Sequence, residues 1–201
     1  MRKSVFLPSL AAAAVLYCLW IEISAADLIA LLLPILIHEL GHLTVLLLSG
    51  ATIRGLRMEP HGLCIQYSGV LSEKAEIAAA LSGAAAGLLY TLLIRCLKQY
   101  HSCHFLQMSA DISLLLSVFN LLPVLPLDGG MALFHLAEIL LDDHSAKRLC
   151  FVISVIFTGA VLLTGMILML EGRGRALLAA GLWLMICLHE NMGIVKNQKL
   201  L

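Results

Sequence analysis

An apolar run from residue 28 to 48 carries three ionisable side chains, His38, Glu39 and His42, in its second half. The run is long enough to cross the hydrocarbon layer of a bilayer as a helix, which takes ~20 apolar residues. Groups of this kind are costly inside a membrane, so their presence there is a functional signal by default. The spacing H-E-x-x-H places the two histidines on one helix face, within reach of a single metal ion. The intervening glutamate is a candidate general base.

The rest of the chain agrees with a membrane setting. It is 61% hydrophobic and 13% charged, with a mean hydropathy of +0.97, where a soluble domain is closer to half apolar and a quarter charged. The pattern predicts an all-α polytopic membrane protein with about six spans, at 5–21, 28–48, 77–94, 112–141 (interrupted), 149–170 and 176–188. Arg2 and Lys3 precede the first apolar stretch, but Cys18-Leu19-Trp20-Ile21-Glu22 is a poor cleavage site, so this stretch reads as a retained span. With the N-terminus in the cytoplasm, nine basic residues fall inside and four outside. That bias predicts both termini on the cytoplasmic side. The net charge is zero, so there is no electrostatic footprint for nucleic acid. Six scattered cysteines do not form a disulfide framework, although Cys96 and Cys103 flank one loop and could pair across it.

The fourth span is broken by Asn120-Leu121-Leu122-Pro123-Val124-Leu125-Pro126-Leu127-Asp128-Gly129-Gly130. Each proline removes a backbone donor and disfavours regular helix. Irregular backbone at membrane depth survives only where protein or a wet cavity surrounds it. Asp128 is therefore expected in an opened segment facing the bundle interior; the alternative is a proline kink with Asp128 capping a helix over 131–141. His42 and His38 precede Ser49, the expected cytoplasmic end of span two, by seven and eleven residues, or roughly 10 to 17 Å of helix. Asp128 precedes Asp142, the expected end of span four, by fourteen residues, or about 20 Å if helical throughout. Two imidazoles and one carboxylate can thus meet at one level. Three such ligands and one open position make the pattern of a catalytic zinc site.

The pair of motifs, His38-Glu39-Leu40-Gly41-His42 followed by Asn120-x-x-Pro123-x-x-Pro126-x-Asp128-Gly129, resembles the site-2 protease family of intramembrane zinc metalloproteases. The resemblance implies zinc ligands at His38, His42 and Asp128 and a general base at Glu39. It implies that Asn120 donates to substrate backbone or oxyanion; a helix-packing hydrogen bond is the alternative for that residue. The six-span layout looks most like the sporulation factor IV FB branch, whose substrate is a membrane-associated sigma-factor precursor. Two departures matter: the C-terminal CBS domain typical of that branch is not expected after the last span, and no PDZ-sized insertion is present, unlike the envelope-stress branch. The whole chain, 1–201, is expected to be one metalloprotease domain, with a core over 28–141 and helices over 149–195 that pack or gate. The resemblance further implies a bacterial cell-membrane protein, a membrane-bound protein substrate, contact with membrane lipid, and a regulatory membrane partner or a homo-oligomer.

Residues 51–68 alternate apolar side chains around a turn signal at Pro60-His61-Gly62, which predicts two short strands. The family carries a membrane-edge β-element in that place, and an exposed strand edge could hold an unwound substrate by strand addition. Ser82-Gly83-Ala84-Ala85-Ala86-Gly87 is a small-residue surface that close helix packing explains. His101 and His104, with Cys103, are expected in a solvated loop, and His61 in a turn. His135 is expected as a packed core histidine, with His144 and His189 at span ends. Two other function classes use the same residues: a zinc transporter, which would normally show internal repeats, and an inactive relative that binds membrane segments. An intact Glu39 argues against the second, because binding needs no base.

Overall fold

The structure is a computed structural model and describes residues 25–59, 62–69, 71–97 and 104–197. Six helices and one strand pair are present among these residues. They are α1 (Ala25–Leu48), β1 (Thr52–Glu59), β2 (Gly62–Ser68), α2 (Glu73–Leu97), α3 (His104–Asn120), α4 (Asp128–Leu140), α5 (Asp143–Leu170) and α6 (Arg175–Asn197). The architecture is the expected one: mostly helical, with a small β-element after the helix that carries His38 and His42. The span expected at 5–21 lies outside the described residues, as do His61, His101 and Cys103.

Among the described residues, three helices are long and apolar enough to cross a membrane: Ala26–Leu48, Glu73–Leu97 and Asp143–Leu170. Along their most apolar stretches only 17 to 28% of the residues are buried. Leu89, Leu92, Leu115 and Leu170 on these and neighbouring helices stand 61 to 86% exposed, as side chains that face lipid do. The expected fourth span is two helices of 17 and 13 residues, and the apolar part of α6 is the shorter stretch Arg175–His189.

The chain divides into two compact units. The first holds residues up to Val70 together with Ser82–Val118. Its α1 contains a buried proline, Pro34, a break in hydrogen bonding that helices of this class tolerate. The helix stops at Gly50, whose φ is +83°. Ala51 N–H donates to the Leu46 carbonyl at 3.0 Å and Gly50 N–H to that of Leu47 at 3.1 Å. This paired closure satisfies the last carbonyls and turns the chain straight into β1. β1 and β2 are antiparallel, pairing Ile53 with Tyr67, Leu56 with Ile65 and Met58 with Leu63, with an irregularity between Ile53 and Gly55. Along α2 and α3 a polar seam replaces apolar interlock. Thr91 Oγ1 donates to the Ala110 carbonyl at 3.1 Å, Ser113 Oγ donates to that of Gly87 at 3.0 Å, and the Tyr90 and Ser109 hydroxyls lie 2.9 Å apart. Interhelical hydrogen bonds of this kind hold helices together where lipid gives no hydrophobic drive.

The second unit holds Leu71–Leu81 and the chain from Phe119 onward. Asp142 caps α5, accepting from Ser145 N–H at 3.1 Å; the Ser145 side chain first, and then that N–H, hold its carboxyl below the ordinary value of 3.8 by hydrogen bonding. Helix α5 ends as α1 does, with Gly172 at φ +78° and Arg173 N–H donating to the Leu168 carbonyl at 2.9 Å. The chain reverses into α6, which runs so close that a Cβ at Gly165 would stand 2.8 Å from Leu178 N. Val124, Leu127 and Leu184 form a buried cluster with Phe119, Leu122 and Trp183 around it.

One expectation needs correction. His104 is the first residue of α3, not part of a loop; the helix begins eight residues earlier than the apolar pattern suggests. The His135 side chain is 17% exposed, and its Nδ1 lies 3.0 Å from Glu76 Oε2 and 3.3 Å from Glu138 Oε2.

Candidate metal centre

His38 and His42 lie one turn apart on α1, and their Nε2 atoms are 3.2 Å apart. The rings meet edge to face, with centroids at 4.8 Å and planes at 81°. His38 is buried, at 5% exposure, while Glu39 and His42 are half-buried. Two nitrogens that each stand ~2.0–2.1 Å from a tetrahedral zinc ion are themselves roughly 3.3 Å apart. The observed separation therefore fits one edge of a tetrahedral metal site.

The His42 ring rests in a groove of small residues. A Cβ at Gly41 would stand 2.6 Å from the Ser82 carbonyl oxygen and 2.8 Å from Ala86 Cβ. Glycine at 41 thus lets α1 lie directly on α2. A Cβ at Gly83 would overlap the His42 ring at Nε2 and stand 2.7 Å from its Cδ2 and Cε1. The small-residue surface on α2 does more than pack helices: it makes the space in which a histidine ring rests. Sequence reasoning passed over Gly41 and Gly83 in this role, and the signal available was the glycine inside His38-Glu39-Leu40-Gly41-His42.

Asp128 is the first residue of α4, preceded by the irregular segment 121–127. It is not the helix cap; Leu127 occupies that position and makes no side-chain capping bond. A Cβ at Gly129 would overlap the Leu121 carbonyl, and one at Gly130 would stand 2.6 Å from Leu125 N. The two glycines let the irregular segment lie against the first turn of α4 and so fix where Asp128 starts. Asn120, half-buried, is the last residue of α3.

One possible ligand atom from each of His38, His42 and Asp128 lies within 4.8 Å of the other two. Two imidazoles and a carboxylate are a donor set that zinc accepts, with room for a fourth ligand. No second group of three metal-ligating side chains is found among the described residues.

The sequence profile of Peptidase family M50 matches residues 87–164, a stretch that holds Asn120, both prolines and Asp128 but not His38 or His42. No curated protein matches the chain by sequence. The structure is similar to that of the site-2 protease from Methanocaldococcus jannaschii, with a TM-score of 0.70 over 94% of this chain and 93% of that one, at 20% identity. The fold is therefore the site-2 protease fold. The resemblance first carried by two short motifs now rests on a sequence profile and a fold as well.

Proposed function

We propose that this chain, with the site-2 protease fold as its frame, is an intramembrane zinc metalloprotease acting on a membrane-bound protein substrate. The observation that carries the reading is the grouping of His38, His42 and Asp128, with Glu39 next in sequence to one of the three. Zinc bound there would supply a Lewis acid for the scissile carbonyl and lower the pKa of a bound water toward ~7. His38 and His42 act as neutral ligands, and Asp128 as an ionised one. Glu39 takes the proton from the attacking water and returns it to the leaving amine, so its carboxylate must be free to ionise at working pH. Asn120 donates to the substrate backbone or the developing oxyanion.

The strand pair supports the same reading. A transmembrane helix must unwind before a peptide bond reaches a buried centre. β1 and β2 form a two-stranded sheet, so each has one edge beyond the pair, and such an edge can hold an extended segment through main-chain hydrogen bonds. The substrate class that the motif resemblance implies is an anchored regulatory precursor of the sigma-factor type. We take residues 1–201 as one protease domain in a bacterial cell membrane, both termini cytoplasmic, with homo-oligomers or a regulatory membrane partner controlling access.

The test uses the full chain in liposomes with labelled single-span peptides, beside Glu39→Gln. Wild-type protein should cleave at least one peptide, a zinc chelator should stop it, and Glu39→Gln should be silent. Chelator-insensitive cleavage, or zinc uptake into the liposomes without cleavage, would remove the protease reading.

A further inference from the structure

We propose that Ser154, on α5, is a positioning residue for the Asp128 carboxylate and acts through segment 121–127; the proposal rests on the zinc-site reading above. The segment has lost two amide donors to Pro123 and Pro126. Three of its remaining amides bond locally: Leu122 to the Phe119 carbonyl at 3.1 Å, Val124 to that of Leu122 at 2.8 Å, and Leu127 to that of Val124 at 2.7 Å. Leu125 N–H instead reaches another helix and donates to Ser154 Oγ at 3.0 Å.

Ser154 is fully buried, whereas Val152, Val155 and Ile156 beside it are 47 to 62% exposed. A serine within a membrane helix ordinarily turns its hydroxyl to the carbonyl four residues back; this one accepts from the irregular segment. In hydrocarbon, that amide would otherwise have no water to satisfy it.

The segment has no slack with which to absorb a change. Val124 and Leu127 are fixed in the cluster with Leu184. Gly129 and Gly130 bring the first turn of α4 onto the backbone of residues 121–125. Leu125 is three residues before Asp128, so the Ser154 hydroxyl sets the height at which the ligand helix starts. Metal ligands tolerate little displacement, and losing the groups that orient them weakens metal binding ~10–100-fold.

The test measures zinc affinity by chelator competition, and the visible absorption of the cobalt-loaded full chain, in detergent. Ser154→Ala should weaken zinc binding about tenfold or more and alter the cobalt bands. Thr158→Val is the control. Thr158 lies one turn further along the same face, is 4% exposed, and its hydroxyl has no partner among the described residues. It should keep wild-type zinc affinity and cobalt bands. Should Ser154→Ala fail to fold, Ser154→Cys, whose sulfur is a weaker acceptor, should give an intermediate affinity. Asp128→Ala separates the two levels of the argument. If it loses metal while the Ser154 variants behave as wild type, the positioning role is overturned and the zinc site stands. If Asp128→Ala binds zinc as wild type does, both fall.

Discussion

Replacing Gly83 by alanine adds one methyl group, and the structure states what that methyl meets. It would overlap His42 at Nε2 and stand 2.7 Å from Cδ2 and Cε1, about 0.7 Å short of the 3.4 Å at which ordinary contact begins. The opposing atoms belong to a ring, not to the end of a flexible chain, so the ring must withdraw as a body. Overpacking of this sort costs about 1–3 kcal/mol, but alanine regains roughly 0.5–1 kcal/mol over glycine within a helix. The net change in stability is therefore a loss of between about 0 and 2.5 kcal/mol. Zinc binding is the sensitive readout, because a displaced imidazole leaves the ligand set. We expect the dissociation constant for zinc to rise ~10–100-fold, about 1.4–2.7 kcal/mol, with the melting temperature of the metal-free protein falling by no more than about 10 °C. Competition with a chromophoric chelator measures the first and circular dichroism the second. Gly159→Ala supplies the comparison: nothing stands within 4 Å of a Cβ there, so it should leave zinc affinity unchanged and stabilise α5 by roughly 0.5–1 kcal/mol. A Gly83→Ala protein that binds zinc as wild type does would refute the claim that this groove seats His42.

Glu39→Gln should retain zinc and lose cleavage by at least ~10²–10⁴-fold, the usual contribution of a positioned base; turnover at the wild-type rate would take Glu39 out of the mechanism. Proline at Ile53 or Tyr67, partners across the strand pair, should impair cleavage without changing zinc content, since proline removes a ladder donor; unaffected cleavage would count against substrate docking on the strand edge. Asp142→Ala should lower the melting temperature by removing the cap on α5. Because the folded-state pKa of Asp142 is lowered, its contribution is complete above the ordinary value of 3.8 and disappears as pH falls through the lower folded-state value. The gap between wild type and Asp142→Ala should close over that acid range; a gap that is constant with pH would show that the carboxylate does not act as the cap.

Some parts of this molecule could be read directly because their causes are local. Two prolines and two glycines within eight residues force a break wherever they occur, and the chain opens at 121–127. Alternating apolar residues around Pro60-His61-Gly62 specify a strand pair, and the strands run from Thr52 to Glu59 and from Gly62 to Ser68. The parts that were not legible depend on distant partners. His135 lies against Glu76, nearly sixty residues away in sequence, and no periodicity announces that pairing. The glycines of α2 look alike whether they admit another helix or a histidine ring, because the sequence shows that space exists but not what fills it. Helix starts are hidden for a related reason: His104 is polar, and Glu73 and Glu76 lie outside the apolar run. Yet α2 starts at Glu73, because Ser72 accepts from Ala75 N–H at 3.3 Å and acidic residues favour a first turn.

The most direct test of the account is the zinc content per chain, by atomic emission, of purified wild-type protein and of single alanine variants at His38, His42 and Asp128. About one equivalent in the wild type, and its loss in each of the three variants at equal yield of folded protein, is the predicted result. A full equivalent retained by Asp128→Ala would contradict it, because α1 alone would then be holding the metal.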